Sequence, residues 1–520
     1  MSTINETLQC GVEHHRAGRL FEAEQMYRKV LELHPRHAGA VHLLGLVAFQ
    51  DGRAPQSIQM LREAMRLDAF NPLFPADMAD ICAKLGKLPD ALAAYDKSLA
   101  LDPNQADVLA GRGQLKLRLG QWKEAIADLS QAIELDPTLF EAHANLGGAL
   151  RNQGHLAEAQ ASMERAAQLD SGQADLYFNL GVVHYEQGKL LESIACAERA
   201  LRLSANQPDA RYLAAMARLA LGDFANGWRE YAARLNCFGA ARPKHALPTW
   251  TGSPVAGEAV LILPEPDLAH TILLLRCIPL AKARGAEVVA DLGSDLAALA
   301  APLGCPIVTA AQPLPENCRW QLPLGSLPGL LGITPVTAGA ATPYLSVPEE
   351  ALRKWREKLR PGNELLIGID PQASSVDGST ASRSIPGSQF ARLAAATGVR
   401  LFNLQTTPAS STEGWPEGIV ELAGEFAGED ALVQRAAAIR QLDLVITADG
   451  PTAHLAGALG APAWVVLSSG PDWCWLRDRE DSPWYPSLRL FRQTSPGDWN
   501  GVFTRLAAEL ATRKMRTAAT

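Results

Sequence analysis

Seven glycines recur every 34 residues without a slip: Gly18, Gly52, Gly86, Gly120, Gly154, Gly188 and Gly222. A fixed period of this size describes a stack of like units, none of which can bury its apolar face alone. Small residues hold a second phase ahead of each glycine (Gly11, Gly45, Ala79, Gly113, Gly147, Gly181, Ala215) and a third phase behind it (Ala23, Ser57, Ala91, Ala125, Ala159, Ser193, Gly227). Tyr27, Tyr95 and Tyr231 share another phase, and Pro35, Pro103 and Pro137 mark a place where a helix must stop. The pattern predicts a helix, a tight turn and a second helix lying close against the first. Small residues on facing stripes let two backbones approach, and apolar residues between them fill the seam. The invariant glycine then falls where the first helix ends, a position that favours left-handed backbone.

This unit resembles the tetratricopeptide repeat, and the resemblance covers residues 4–235, with Asn145-Leu146-Gly147 and Asn179-Leu180-Gly181 as its best matches. Asn145 and Asn179 hold one phase of the first helix, on the face expected to line a concave groove. Their amides could grip the backbone of an extended peptide, or simply be solvated.

The chain has 520 residues, of which 47% are hydrophobic, enough for several cores. A net charge of −8 argues against nucleic acid as the main partner, because phosphate binding needs a basic face. No apolar run approaches the roughly 20 residues that span a bilayer; the richest, 271–281, is interrupted by Arg276. The first residues lack a charged and then apolar leader, so a cytoplasmic location is expected. The eight cysteines are scattered with no CxxC pair, which reads as buried thiols rather than a zinc site or disulfide framework.

Composition changes near residue 235: nine of the eleven tryptophans lie beyond it. Residues 236–256, with Pro243, Pro248 and Pro254, read as a linker. Beyond them strands and helices alternate. Strands are expected at 259–263, 287–291, 306–310, 364–369, 399–404, 443–448 and 463–467. Helices are expected at 268–284, 296–303, 349–359, 388–396, 430–440, 452–459 and 499–512. Such alternation implies parallel sheets with crossover helices. A break around 312–363 divides it into two doubly wound halves, 257–345 and 346–513, with ligands expected at the carboxyl ends of the strands. The fold class is thus an α-solenoid followed by a two-part α/β region.

The sharpest local signal runs from Thr447 to Pro462. A buried strand ends at Asp449 and a helix opens at Pro451 or Thr452, where proline is tolerated and threonine can cap. Free N–H groups there suit a diphosphate, and His454 in the first turn could add a donor. The alternative is a helix start with no ligand.

The segment is similar to the Asp-(Ser/Thr)-x-x-x-His-Leu-Ala motif of heptosyltransferase-like, two-domain glycosyltransferases, and closer to bacterial members fused behind tetratricopeptide repeats. Gly227-Trp228, Trp250-Thr251-Gly252, Arg383-Ser384-Ile385, Leu404-Gln405 and the run from Asp472 through Trp475, Trp484 and Tyr485 to Trp499 agree with it. The resemblance implies a GT-B-type module of two Rossmann-like halves. The first half would face the acceptor. The second would bind a nucleotide sugar, as substrate and with no cofactor or metal, through Asp449, Gly450, Thr452, His454, Arg383, Ser384 and Gln405. It implies an inverting transfer to a protein acceptor held by the repeats, flagellin among the candidates.

Two departures stand against this. The family's glycine-rich turn after the first strand reads Glu265-Pro266-Asp267-Leu268-Ala269-His270, and His270 occupies the place of the proposed acidic general base. A histidine of ordinary pKa could serve as that base. After the strand at 364–369, the family's Trp-x-Gly and basic loop are Asp370-Pro371-Gln372 and a Ser/Thr/Gly-rich stretch. Trp473, Trp475, Trp484 and Tyr485 could stack on a sugar, though locking the C-terminal tail is the stronger expectation. Asp478-Arg479-Glu480-Asp481 reads as surface charge. The expectation is a protein glycosyltransferase, with a non-catalytic repeat adaptor as its alternative.

Overall fold

The computed structural model describes residues 4–237, 245–253, 255, 257–309, 312–337, 342–359, 362, 364–373, 383–406 and 415–517. Residues 238–244, 254 and 256 of the Pro-rich stretch and the Ser/Thr/Gly-rich loop 374–382 lie outside the described residues. Two compact units divide the chain, residues 1–171 and 172–520.

The first unit holds five helix pairs: α1 (Ile4–Arg16) with α2 (Leu20–Leu33), α3 (Ala38–Gln50) with α4 (Ala54–Leu67), α5 (Leu73–Lys84) with α6 (Leu88–Leu101), α7 (Ala106–Arg118) with α8 (Trp122–Leu135), and α9 (Phe140–Asn152) with α10 (Leu156–Leu169). Each pair turns on its periodic glycine, which has φ of 72° to 80° from Gly18 to Gly154. The small residue of the first helix explains how close the partners come. A Cβ on Gly113 would lie 2.7 Å from Leu129 Cγ, and one on Gly45 would lie 3.1 Å from Leu61 Cγ. Tyr27, Leu61 and Leu129 are fully buried in these seams. Each such side chain contributes roughly 1.5–3 kcal/mol by leaving water.

The second unit begins inside the repeat array, with α11 (Ala174–Glu186) and α12 (Leu190–Leu203), then α13 (Pro208–Ala220) and α14 (Phe224–Tyr231). A short 3-10 turn, Ala232–Asn236, follows. The first sheet runs from β1 (Ala259–Leu263) through α15 (Leu268–Leu274), α16 (Cys277–Ala283), β2 (Glu287–Asp291), α17 (Ser294–Leu299), β3 (Ile307–Val308), β4 (Cys318–Pro323) and α18 (Leu327–Leu331). Its strand order is β3-β2-β1-β4, all parallel. After α19 (Glu349–Lys358) comes the second sheet: β5 (Leu365–Asp370), α20 (Ala391–Ala394), β6 (Val399–Asn403), β7 (Val420–Glu421), α21 (Ala431–Ile439), β8 (Leu444–Ala448), α22 (Pro451–Ala458), β9 (Ala463–Leu467), β10 (Leu488–Arg492) and α23 (Trp499–Thr517). Its order is β10-β9-β8-β5-β6-β7, again parallel. The central strands β1, β8 and β9 are buried along their whole length, as unbroken apolar runs in two-sided parallel sheets must be.

Several elements differ from the sequence expectation. The helix expected at 268–284 breaks between α15 and α16, because Pro279 has no N–H to give the Leu275 carbonyl and its ring crowds that group. Arg276, in the break, donates to the Leu273 and Trp484 carbonyls and lies over the rings of Tyr344 and Tyr485. The helix expected at 388–396 is a 3-10 turn, Gly387–Phe390, followed by the one-turn α20. Like β7 and α18, the strands β4 and β10 are absent from the expected set. Their exposed or half-buried Arg319, Arg489 and Arg492 interrupt the apolar run, as suits strands at sheet edges.

Candidate functional site

The second unit brings the carboxyl end of β8, the start of α22, the loop after β9 and the start of α15 to one place. Asp449 leaves β8 there and is 3% exposed. Its Oδ2 accepts from the Arg383 guanidinium and, at 2.8 Å, from the Asp472 backbone N–H; its Oδ1 accepts from Trp475 Nε1 at 2.6 Å. All three donors come from the chain itself. Two carboxylates, Asp449 and Asp472, raise the Arg383 pKa against the opposing pull of burial.

Gly450 is the N-cap of α22, and its side of the helix carries no side-chain cap. Thr452, expected to cap, instead turns its hydroxyl to Asp370 Oδ2 at 2.5 Å, at the end of β5. His454 is 1% exposed. Its Nδ1 lies 3.0 Å from the Tyr485 hydroxyl and its Nε2 3.9 Å from Cys474 Sγ, while Trp475 stacks on its face at 4.9 Å. Burial pushes its pKa down to about 4, so it is neutral at pH 7. Gly457 has no side chain because the Tyr485 ring fills that space.

His270 lies across from this cluster on α15, 5% exposed. Asp267, the N-cap of α15, accepts from the Ala269 and His270 N–H groups and has Oδ2 3.3 Å from His270 Nδ1. His270 Nε2 lies 3.1 Å from Asp472 Oδ2, and the ring stacks on Trp473 with centroids 5.7 Å apart. Burial works against its charge. Asp472, Asp267 and Glu265 outweigh burial and lift its pKa to about 9. Asp472 is correspondingly held below the carboxylate range: burial opposes its charge, but His270 and Arg383 prevail. Both ring nitrogens thus face carboxylates, and at neutral pH neither offers a lone pair to an acceptor hydroxyl.

The remaining expected donor contacts take no part in the Asp449 hydrogen bonds. Ser384 Oγ accepts from the Ala373 N–H at 3.3 Å. Gln405 is 3% exposed; its N–H donates to Asn403 and its Oε1 is buried without a partner among the described residues. Asn145 sits half-buried on α9 and Asn179 exposed on α11, in different units. Sequence reasoning passed over Asp267, Asp370 and Asp472 as site residues. The available signal was modest: Asp370 ends β5 and Asp449 follows β8, both buried and largely apolar strands, where a carboxylate needs a partner.

The same unit fixes its repeats to the sheets. Ser469 Oγ donates to the Glu186 carbonyl at 2.8 Å, and the Tyr185 hydroxyl donates to Pro471 at 3.2 Å. Trp228 Nε1 donates to Ile333 at 2.7 Å and its ring meets Trp473 edge-on. Arg234 pairs with Glu265 through two hydrogen bonds of 2.8 and 2.9 Å, and Gly325 N–H adds a third to the same carboxylate at 2.7 Å. Trp473, Trp475, Trp484 and Tyr485 are all but fully buried, so they act as packing.

Two cavities border this region. One, of ≈ 370 Å³, opens at the carboxyl ends of β1 and β2 and is lined by Glu265, Thr271, Asp295, Leu432 and Arg435. Arg435 Nε and Asp295 Oδ1 are buried there without hydrogen-bond partners among the described residues. The other, of ≈ 100 Å³, lies where the loops after β9 and β10 meet α12.

The fold is that of helical tetratricopeptide repeats followed by parallel α/β sheets. The family described as TPR repeat matches residues 79–120 and 113–154, and the family described as tetratricopeptide repeat matches 11–72, 144–208 and 178–235. The chain carries these repeats. Protein FlbA of Caulobacter vibrioides is 25% identical over 342 residues, covering 58% of this chain and 54% of that protein. The chain thus matches about half the length of that relative. Among solved structures, YrrB, a TPR protein with an unusual peptide-binding site, aligns with TM-score 0.33 and 20% identity over 35% of this chain and 95% of its own. PilF of Pseudomonas aeruginosa aligns with TM-score 0.38 and 15% identity over 40% of this chain and 95% of its own. No described helix is long and apolar enough to cross a membrane.

Proposed function

We propose that this chain is a protein-binding scaffold. The repeats dock a partner protein, and the α/β region is a glycosyltransferase-like module that has turned its own motif into structure. The observation that carries this is the Asp449 carboxylate, whose two oxygens are taken by Arg383, Trp475 and the Asp472 N–H. His454 and Thr452 are engaged in the same way, so a nucleotide diphosphate would have to displace buried bonds worth several kcal/mol. In this reading an extended segment of the partner lies against the repeats; the Asn145 amide would bond such a backbone in the first unit, and the Asn179 amide would do so separately in the second.

The test is a binding titration of the full chain against a panel of nucleotide sugars, with Asp449→Asn and His454→Ala alongside. No saturable binding is expected. One donor that binds saturably and is lost in both variants overturns the scaffold reading.

A second reading, the protein glycosyltransferase, is favoured by the cavity of ≈ 370 Å³ lined by Arg435, whose Nε has no hydrogen-bond partner among the described residues. There a nucleotide sugar would lodge at the ends of β1 and β2 rather than at α22. Its test is sugar transfer that Arg435→Ala abolishes and Asp449→Asn spares.

A further inference from the structure

The cavity of ≈ 370 Å³ holds one cation that nothing in the chain answers. Arg435 lines it from α21, together with Ala431, one turn earlier on the same side of the helix, and Leu432. Arg435 is mostly buried, yet it forms no hydrogen bond and no ion pair among the described residues. Its Nε is fully covered, so the Nη groups are the part of the guanidinium that reaches the cavity. Burial lowers its pKa, and Asp370 opposes that from beyond ion-pair distance. Leaving guanidinium donors unmet in a partly dry site is costly and calls for an acceptor.

The rest of the wall is largely settled. Glu265 takes two bonds from Arg234 and a third from the Gly325 N–H. The Thr271 hydroxyl donates to the Glu265 carbonyl and accepts from the Glu265 N–H. Asp295 Oδ2 accepts from the Leu432 N–H at 3.2 Å, which ties α17 to the start of α21. Pro264, Pro266, Leu268, Leu292 and Leu296 supply an apolar lining. One unpaired guanidinium therefore faces apolar surface, with the Asp295 carboxylate on the same wall. That balance suits a ligand with a single negative charge and an apolar body. A nucleoside diphosphate brings more charge than one guanidinium can match, and Asp295 would repel the excess. A carboxylate carries one charge, and its two oxygens fit the planar guanidinium fork. The volume lies in the range of small-molecule sites.

We propose that this cavity is a binding site for a small monocarboxylate, with the carboxylate on the Arg435 Nη groups and the apolar body against Leu268, Leu292 and Leu296. The proposal stands beside the scaffold reading, and it gives the cavity a different occupant from the nucleotide sugar of the second reading.

The experiment is a fluorine NMR titration of the full chain with para-fluorobenzoate, at neutral pH and constant ionic strength, in a buffer free of carboxylates. Saturation below about 5 mM is expected, with the uncharged para-fluorobenzamide weaker by about tenfold or more because it lacks the charge-assisted pair. Arg435→Gln should bind the two probes alike. Leu268→Trp, half-buried on the wall, should weaken both, and it keeps the test alive if Arg435→Gln does not fold. Absence of saturation overturns the proposal. So does a preference for the acid that survives Arg435→Gln, or unchanged binding in Leu268→Trp. Two competitors separate the sources of negative charge. Phenyl phosphate displacing the probe more strongly than unlabelled benzoate overturns the carboxylate assignment. Uridine diphosphate doing so also overturns it and returns the cavity to the nucleotide-sugar reading.

Discussion

Because His270 sits between Asp472 and Asp267, the second unit should lose stability as pH rises from neutral. The folded-state pKa is raised to about 9 from an ordinary 6.5. Below 6.5 the imidazole is protonated whether folded or not, so the full stabilisation is present. Between 6.5 and 9 the folded chain keeps a proton that the unfolded chain has released, and stability falls with each pH unit by about 1.4 kcal/mol. From pH 6.5 to 8.5 the expected loss from His270 is about 2 kcal/mol; unfolded cysteines, which ionise near 8.5, add to it at the upper end, so the difference between the parent and His270→Gln isolates the His270 share. His454 gives the opposite limb: its pKa lies near 4 because of burial, so the unfolded chain binds more protons below 6.5 and stability falls on acidification. A maximum near pH 6.5 is therefore expected. Urea unfolding monitored by tryptophan fluorescence across pH 5 to 8.5 measures it directly, since nine of the eleven tryptophans lie beyond the repeats. His270→Gln should lower stability at pH 6.5 and flatten the alkaline limb. If the alkaline limb is unchanged in that variant, His270 is not an ion-paired imidazolium, and its candidacy as a neutral general base returns.

Replacing Asp449 by Ala leaves the partly buried Arg383 guanidinium and the Trp475 indole without their acceptor; a loss of about 3 kcal/mol is expected. The thermal midpoint should drop by roughly 6 °C; an unchanged or higher midpoint in the apoprotein marks Asp449 as a ligand-binding residue rather than a structural one. Glu265→Gln should cost about 3–5 kcal/mol because Arg234 stays buried and charged, while Arg234→Met with Glu265→Leu should recover most of it in the same unfolding assay. Gly154→Ala, at φ 80° with open space around it, should cost about 1–2 kcal/mol. Gly188→Ala should cost more, because its Cβ would come 2.7 Å from the Ser469 carbonyl oxygen; equal losses would show that the loop after β9 gives way.

What the sequence made legible follows the range of each interaction. The helix pairs repeat over 34 residues, and the glycine at each turn needs left-handed backbone, so both period and conformation are local. The central strands announce themselves as unbroken apolar runs. β4 and β10 do not, because an edge strand tolerates arginine and its identity is settled by a neighbour far along the chain. The site divides in the same way. Asp449, Thr452 and His454 were readable as a strand end and a helix start. Their partners were not: Trp475 lies 26 residues away, Arg383 66 and Asp370 82. No spacing in a single sequence states that a carboxylate is already satisfied. Three-dimensional packing decides that, and with it whether a familiar motif is open to a ligand.

The way Ser469, Pro471 and Trp473 grip Glu186, Tyr185 and Trp228 bears on how such a chain can change over generations. Copies one to five are interchangeable pieces: duplicating or deleting one adds or removes 34 residues and re-forms the same seam. Copies six and seven are inherited differently. Deleting copy seven would uncover Trp473 and leave Glu265 without Arg234, and deleting copy six would remove the partners of Ser469 and Pro471, so descendants should vary in the number of early copies and keep the last two.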